Sequence, residues 1–169
     1  MFWLHLAENP KAITEIYSVP PLLDNIQVVE LKLHQDGPRM ELRADLNQFP
    51  ENPPVKWKRN RFNAVQINLN FFAVEAVEIL EWSHHNILEL IFINEKNGTI
   101  LVEAYNQTRR LLTLRCLSFR ISNISGYLDS SLAQHEKTEQ QESLFQFAPT
   151  TIPHSSLQKP SLENGLEVK

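Results

Sequence analysis

Glycine is scarce, 4 in 169 residues, and none falls in a GxGxxG or GxxxxGK arrangement. A backbone loop that cradles phosphate is therefore not expected. Cysteine is rarer still. The single thiol, Cys116, can form no internal disulfide, so a disulfide-stapled secreted fold is excluded and a reducing cytoplasm is the expected compartment. No apolar run approaches the roughly 20 residues of a membrane-crossing helix. The apolar start, Met1 to Ala7, has no basic stretch and meets acid at Glu8. It is expected to pack onto the domain, because a signal peptide needs a basic leader and a longer apolar core. Charge is also thin. Charged residues make up 21% and the net charge is -4, which implies no broad basic surface for nucleic acid.

What is present is a core. Apolar residues reach 42%, enough for a packed domain. They are unevenly placed: 59 lie in residues 1–127 and only 12 in residues 128–169. The first part is nearly neutral at -1, and the second carries -3. A segment so poor in apolar surface cannot offset the entropy of ordering itself. The expected organisation is one domain over 1–127 and an acidic, disordered tail over 128–169, with a marginal helix at most in its Gln- and Glu-rich start.

Periodicity sets the fold class. Asn9-Pro10 reads as an N-cap followed by proline at the first helical position. Ala12, Ile13, Ile16 and Tyr17 recur at helical spacing until Pro20-Pro21. From Ile26 the period becomes two. Val29, Leu31 and Leu33 alternate with Glu30, Lys32 and His34. Asp36-Gly37 marks a turn. Met40, Leu42, Ala44 and Leu46 then alternate with Arg39, Glu41, Arg43 and Asp45, the pattern of a half-buried strand with a charged outer face. Prolines at 50, 53 and 54 forbid a central strand. Val65, Ile67, Leu69 and Phe71 alternate with Gln66, Asn68 and Asn70. Further strands are expected at about Val74–Trp82, Ile87–Ile93, Thr99–Tyr105, Leu111–Cys116 and Phe119–Ile124, with Asn97-Gly98 as a hairpin turn. The fold class is mostly β (α+β): a short N-terminal helix, then an antiparallel meander of about seven or eight strands.

No pattern carries chemistry. His84-His85 is adjacent on a turn, with no further ligand at metal spacing, so a solvated turn is expected and no metal. Cys116 shares a strand face with Leu112 and Leu114 and reads as core, not as a nucleophile. Glu75, Glu78 and Glu81 fit an outer edge as well as an acid/base pair. The one basic run, Lys56-Trp57-Lys58-Arg59-Asn60-Arg61, could grip a phosphate backbone, but no wider patch surrounds it. A structural Trp57 with solvated charges is the preferred account, and nucleic acid is not an expected partner. No cofactor is indicated.

The order of these features is more specific than any one of them. Asn9-Pro10 precedes Ile16-Tyr17 and Pro20-Pro21-Leu22. Asp36-Gly37-Pro38 follows, then Leu46-x-x-Phe49-Pro50-x-Asn52-Pro53-Pro54-x-Lys56-Trp57. After it come Asn63-x-Val65-Gln66-x-x-Leu69-x-Phe71-x-Ala73-Val74, Trp82, Leu114-x-Cys116 and Tyr127. Over residues 1–127 this resembles the immunity protein 50 family of bacterial polymorphic toxin systems. The extension after Tyr127 is not part of that pattern. The resemblance implies a non-enzymatic protein that neutralises a cognate toxin by steric occlusion. The strand pattern, not the resemblance, then makes the solvent face the expected toxin contact, at Arg39, Glu41, Arg43, Asp45, Gln66, Asn68 and Asn70. Pro53, Pro54, Trp57 and Trp82 are then structural. A β domain binding a small ligand, or an RNA-contacting module, is the alternative.

Overall fold

The structure, a computed structural model, describes residues 3–132. Most of the expected tail lies outside the described residues. Eight strands carry the fold: β1 Ile26–His34, β2 Arg39–Leu46, β3 Ala64–Phe72, β4 Ala76–Ile79, β5 Asn86–Asn94, β6 Ile100–Tyr105, β7 Arg110–Cys116 and β8 Ser118–Tyr127. All pairings are antiparallel. The mostly β, antiparallel class read from the sequence is borne out.

The strand order is β4-β7-β6-β5-β1-β2-β3-β8. Thus β1-β2-β3 and β5-β6-β7 are two local meanders, and β4 and β8 join them out of sequence. β1 and β5, which join the two halves, pair at only three positions: Ile26 with Leu88, Gln27 with Ile87 and Val28 with Asn86. On the far side the chain bends from one half to the other. Leu117 alone links β7 to β8, and its N–H donates to Phe72 O at 3.2 Å. Ala73, at φ 48°, turns β3 towards β4.

This bend brings the inner faces of the two halves together. Phe71 of β3 stacks on Phe92 of β5 with ring centroids 6.3 Å apart, and Phe119 of β8 lies 4.8 Å from Phe92. Such ring pairs add to the stabilisation that burying their area already gives. The N-terminal segment closes the core, as its apolar composition implied. Trp3 packs 6.1 Å from Phe92 and 6.4 Å from Phe119, and its Nε1 donates to Pro21 O at 2.9 Å.

Among the described residues the helical elements ahead of β8 are short: a 3-10 turn over Trp3–Leu6, α1 over Lys11–Thr14 and α2 over Val55–Arg59. Asn9 does not cap α1, and Pro10 stands at the N-cap position. The Asn9 side chain behaves instead like a strand partner. Its Nδ2 donates to Ile121 O at 2.8 Å, and Ile121 N donates to Asn9 Oδ1 at 2.8 Å. β8 is an edge strand of the sheet, and along its outer edge the Glu8 N–H donates to Phe119 O at 3.0 Å while the Asn9 side chain takes the Ile121 backbone groups. The strand expected over Val74–Trp82 shortens to the four residues of β4.

Trp57 is nine-tenths buried and rests against Gly126 of β8. A Cβ at residue 126 would sit 2.6 Å from Trp57 Cδ2. Gly126→Ala is therefore expected to lower stability by about 1–3 kcal/mol through overpacking, read as a drop in the urea midpoint.

Cys116 is fully buried and its thiol is pushed up to about 12 by that burial, with the Glu75 carboxylate adding to the effect. Native protein at pH 8 should resist a thiol reagent, and denatured protein should react promptly. The folded thiol is an acid with a raised pKa, so ionisation favours the unfolded chain. Stability is accordingly expected to fall as pH rises above the ordinary thiol value of 9.0.

Candidate protein-contact face

Strand alternation sends Met40, Leu42, Ala44 and Leu46 of β2 inward and Arg39, Glu41, Arg43 and Asp45 outward. On β3 the inward set is Val65, Ile67, Leu69 and Phe71, and the outward set is Gln66, Asn68 and Asn70. Register then decides whether the two outward rows meet. They do: Glu41 lies opposite Asn70, Arg43 opposite Asn68 and Asp45 opposite Gln66. All seven residues expected on the solvent face thus form one face of this pair of strands. Side chains directly opposite on antiparallel strands are near neighbours.

The face extends over both flanking strands, which the sequence reading left out. On β1, Glu30 lies opposite Arg43, Lys32 opposite Glu41 and His34 opposite Arg39. On β8, Arg120 lies opposite Asn70, Asn123 opposite Asn68 and Ser125 opposite Gln66. The alternation of Glu30, Lys32 and His34 was the available signal for β1. The β8 bulge, which makes Ser122 the extra residue, hid the parity of that strand.

These side chains are tied to each other. Gln66 Nε2 donates to Asp45 Oδ1 at 2.8 Å, and Ser122 Oγ donates to Asn70 Oδ1 at 3.1 Å. His34 Nε2 lies 3.0 Å from Glu41 Oε1, and Arg43 Nε 3.4 Å from Glu30 Oε2. Burial, with the Asp45 carboxylate next in effect, pushes the Tyr127 phenol up to about 12, so it stays protonated at neutral pH. Acids and bases interleave across the face. It can pair with a patterned partner surface but presents no single sign of charge, so it fixes register more than it steers approach.

The residues expected to be structural divide. Pro54 starts α2: Trp57 N donates to its carbonyl at 2.8 Å, and Pro53 precedes it half-buried. Trp57 packs inward, 6.2 Å from Phe49 between ring centroids. Lys56, Lys58, Arg59 and Arg61 stand exposed around it. Trp82 is different. It is 46% exposed and lies three residues past the end of β4. His84 and His85 are exposed on the turn before β5, and no group of three or more metal-ligating side chains occurs among the described residues. Phe71, Phe92 and Phe119 fill the interior, and a cleft of about 500 Å³ lies at the surface between Asn25, His85 and Tyr105.

The immunity protein 50 model matches residues 9–127, from Asn9 to the last residue of β8. The chain belongs to the immunity protein 50 family. No curated protein and no solved structure matches it. The family match covers all eight strands and every residue of the face described above. The immunity protein's Pro53-Pro54-x-Lys56-Trp57 element, the most distinctive part of the resemblance, proves to be the start of α2 and its anchor. Among the described residues, no helix is long and apolar enough to cross a membrane.

Proposed function

We propose that this immunity protein neutralises a cognate polymorphic toxin in the bacterial cytoplasm by covering its working surface, with no bond-making step of its own. One observation carries the reading: the chain belongs to an immunity family, and its sheet presents a continuous, mutually braced polar face. The contacts are Arg39, Glu41, Arg43, Asp45, Gln66, Asn68 and Asn70, with Lys32 and Arg120 at the margins. A face built on paired strands is held rigid before binding, which lowers the ordering cost of association. An interface of roughly 1,600 Å² in total is the size a stable complex requires. The unit that does this is proposed to be residues 1–127, with 128–169 accessory.

The test is co-production with the toxin domain encoded next to this chain. Cells making the toxin alone are expected to stop growing, and cells making both to grow at the normal rate. Equal killing with and without the immunity protein would overturn the proposal.

A further inference from the structure

The polar face leaves one charged element unused. Four of the 13 basic side chains in residues 1–127 fall within Lys56–Arg61, with no acid among them. Lys56, Lys58, Arg59 and Arg61 are all exposed, and none has an ion-pair partner within 4.0 Å among the described residues. α2 has five residues, little more than one turn. Its dipole is too small to account for four cations.

The cations are fixed in place. Trp57 holds the middle of α2, and two hydrogen bonds close its end: Phe62 N donates to Trp57 O at 3.0 Å and Arg61 N to Lys58 O at 3.1 Å. Helices that close in this way usually place glycine at the left-handed position. Here that residue is Arg61, at φ 54°. Glycine would sit there without strain, so the outlier points to a role for the arginine side chain. The place of α2 is also set. It lies in the connection between β2 and β3, and Trp57 rests on Gly126, which is opposite the buried Val65 at the start of β3. The cations thus stand on the core side of the sheet end where Asp45 and Gln66 lie.

The neighbours decide between a nucleic acid and an acidic protein. Glu51 precedes the run in the same connection, and Asp129 N donates to Oδ1 of Asn63, two residues after it, at 2.7 Å. Neither acid has an ion-pair partner within 4.0 Å among the described residues. These carboxylates bound the basic run and repel a phosphate backbone that continues past it. Apolar surface adjoins it as well. Val55, the first residue of α2, is 73% exposed, and Phe49, packed on Trp57, is exposed too. A compact basic spot with apolar neighbours suits the carboxylates of a folded protein better than a long polyanion.

We propose that the toxin reaches over this end of the sheet and sets an acidic projection, a cluster of aspartates or glutamates, on Lys56, Lys58, Arg59 and Arg61. This rests on the neutralisation reading above and adds a second, charged contact outside the polar face. Such a contact acts mainly on the rate of association and on its salt dependence.

The test measures binding of the full chain to the purified toxin domain encoded next to it, at low and high salt, with a urea midpoint for every variant. Arg61→Gly is expected to bind about tenfold more weakly at low salt, chiefly through slower association. Its urea midpoint is expected to hold or rise, because glycine relieves the left-handed backbone. Lys58→Gln with Arg59→Gln should weaken binding at least as much, and high salt should narrow both differences. Lys96→Gln removes one charge from the exposed β5–β6 turn and should bind as the wild type does. Wild-type affinity in both α2 variants would overturn this inference and leave neutralisation standing. An equal loss in Lys96→Gln would reduce the effect to net charge and overturn it too. So would tight binding of a single-stranded uridine oligonucleotide that the same variants lose, which would assign the run to nucleic acid. Self-association of the free chain abolished by Arg61→Gly would assign the run to a second copy, and an Arg61→Gly effect lost on removal of residues 133–169 would assign it to that segment; either would overturn the proposal. A wild-type chain that does not bind the toxin would overturn the neutralisation reading and this inference with it.

Discussion

Exchanging two charges on the polar face, Arg43→Glu with Asp45→Arg, should weaken inhibition of the toxin by ~100- to 1,000-fold. Net charge is unchanged, so altered long-range attraction cannot account for a loss of that size. The two positions are neighbours in the outward row of β2, opposite Asn68 and Gln66, and are flanked by strands on both sides. Central, closely packed contacts carry most of an interface's energy, often about 2 kcal/mol or more each. Within the free protein the swap breaks the Gln66–Asp45 hydrogen bond and the Arg43–Glu30 contact. Exposed pairs of this kind contribute about 0–1 kcal/mol, so thermal unfolding should move by only a few degrees. Inhibition titrations and melting curves on the same preparation separate the two effects. Lys96→Glu, on the exposed β5–β6 turn away from the face, should change neither. Unaltered inhibition by the double variant would remove the face from the interface.

Truncating Trp57 should instead cost the fold. Removal of a buried aromatic side chain typically costs about 3–5 kcal/mol, against a total stability of about 5–15 kcal/mol for an ordinary domain. Trp57 anchors α2 to the sheet: its ring covers Gly126 on one side and meets Phe49 on the other. Trp57→Ala should therefore unfold at much lower denaturant and lose toxin binding only in step with folding. Trp57→Phe should recover part of the stability. Trp82→Ala, at a 46% exposed position, should stay within about 1 kcal/mol of the parent. A fully stable Trp57→Ala chain with no toxin binding would make Trp57 a contact residue and overturn its structural role.

The contrast between the two tryptophans shows what alternation and spacing can convey. Trp57 follows two prolines and precedes a clear strand, so an anchoring role is legible from the chain alone. Trp82 lies past the end of a strand whose pairing is settled by β7, more than 30 residues later in the sequence. Its exposure depends on how far the two halves of the sheet overlap, which no local pattern encodes. The same holds for Leu33. Its period-two position reads as buried, and its parity is indeed inward, but nothing covers it.

β2 and β3 were legible almost residue by residue, because each has one buried and one polar face over its full length. Their mutual register was not: a shift of one residue is excluded because it would turn the polar row inward, but a shift of two keeps every side chain on its face. The bulges at Val29 and Ser122 add one residue each to a ladder and reverse the parity beyond them. That is why the β8 margin of the face emerged only with the fold. Asn9 misled for a related reason. An Asn before proline has the form of a helix cap, yet the outer edge of β8, the last strand of the sheet, claims its amide.

The most direct measurement of the central claim is a titration of the purified toxin domain's own activity with the purified chain, followed by intact mass of both partners. Occlusion predicts a linear fall to zero at a fixed stoichiometric ratio, recovery of activity when the complex is separated by denaturant and refolding, and unchanged masses. Inactivation by a small fraction of an equivalent, or a mass change on the toxin, would contradict it and make this chain an enzyme acting on its partner.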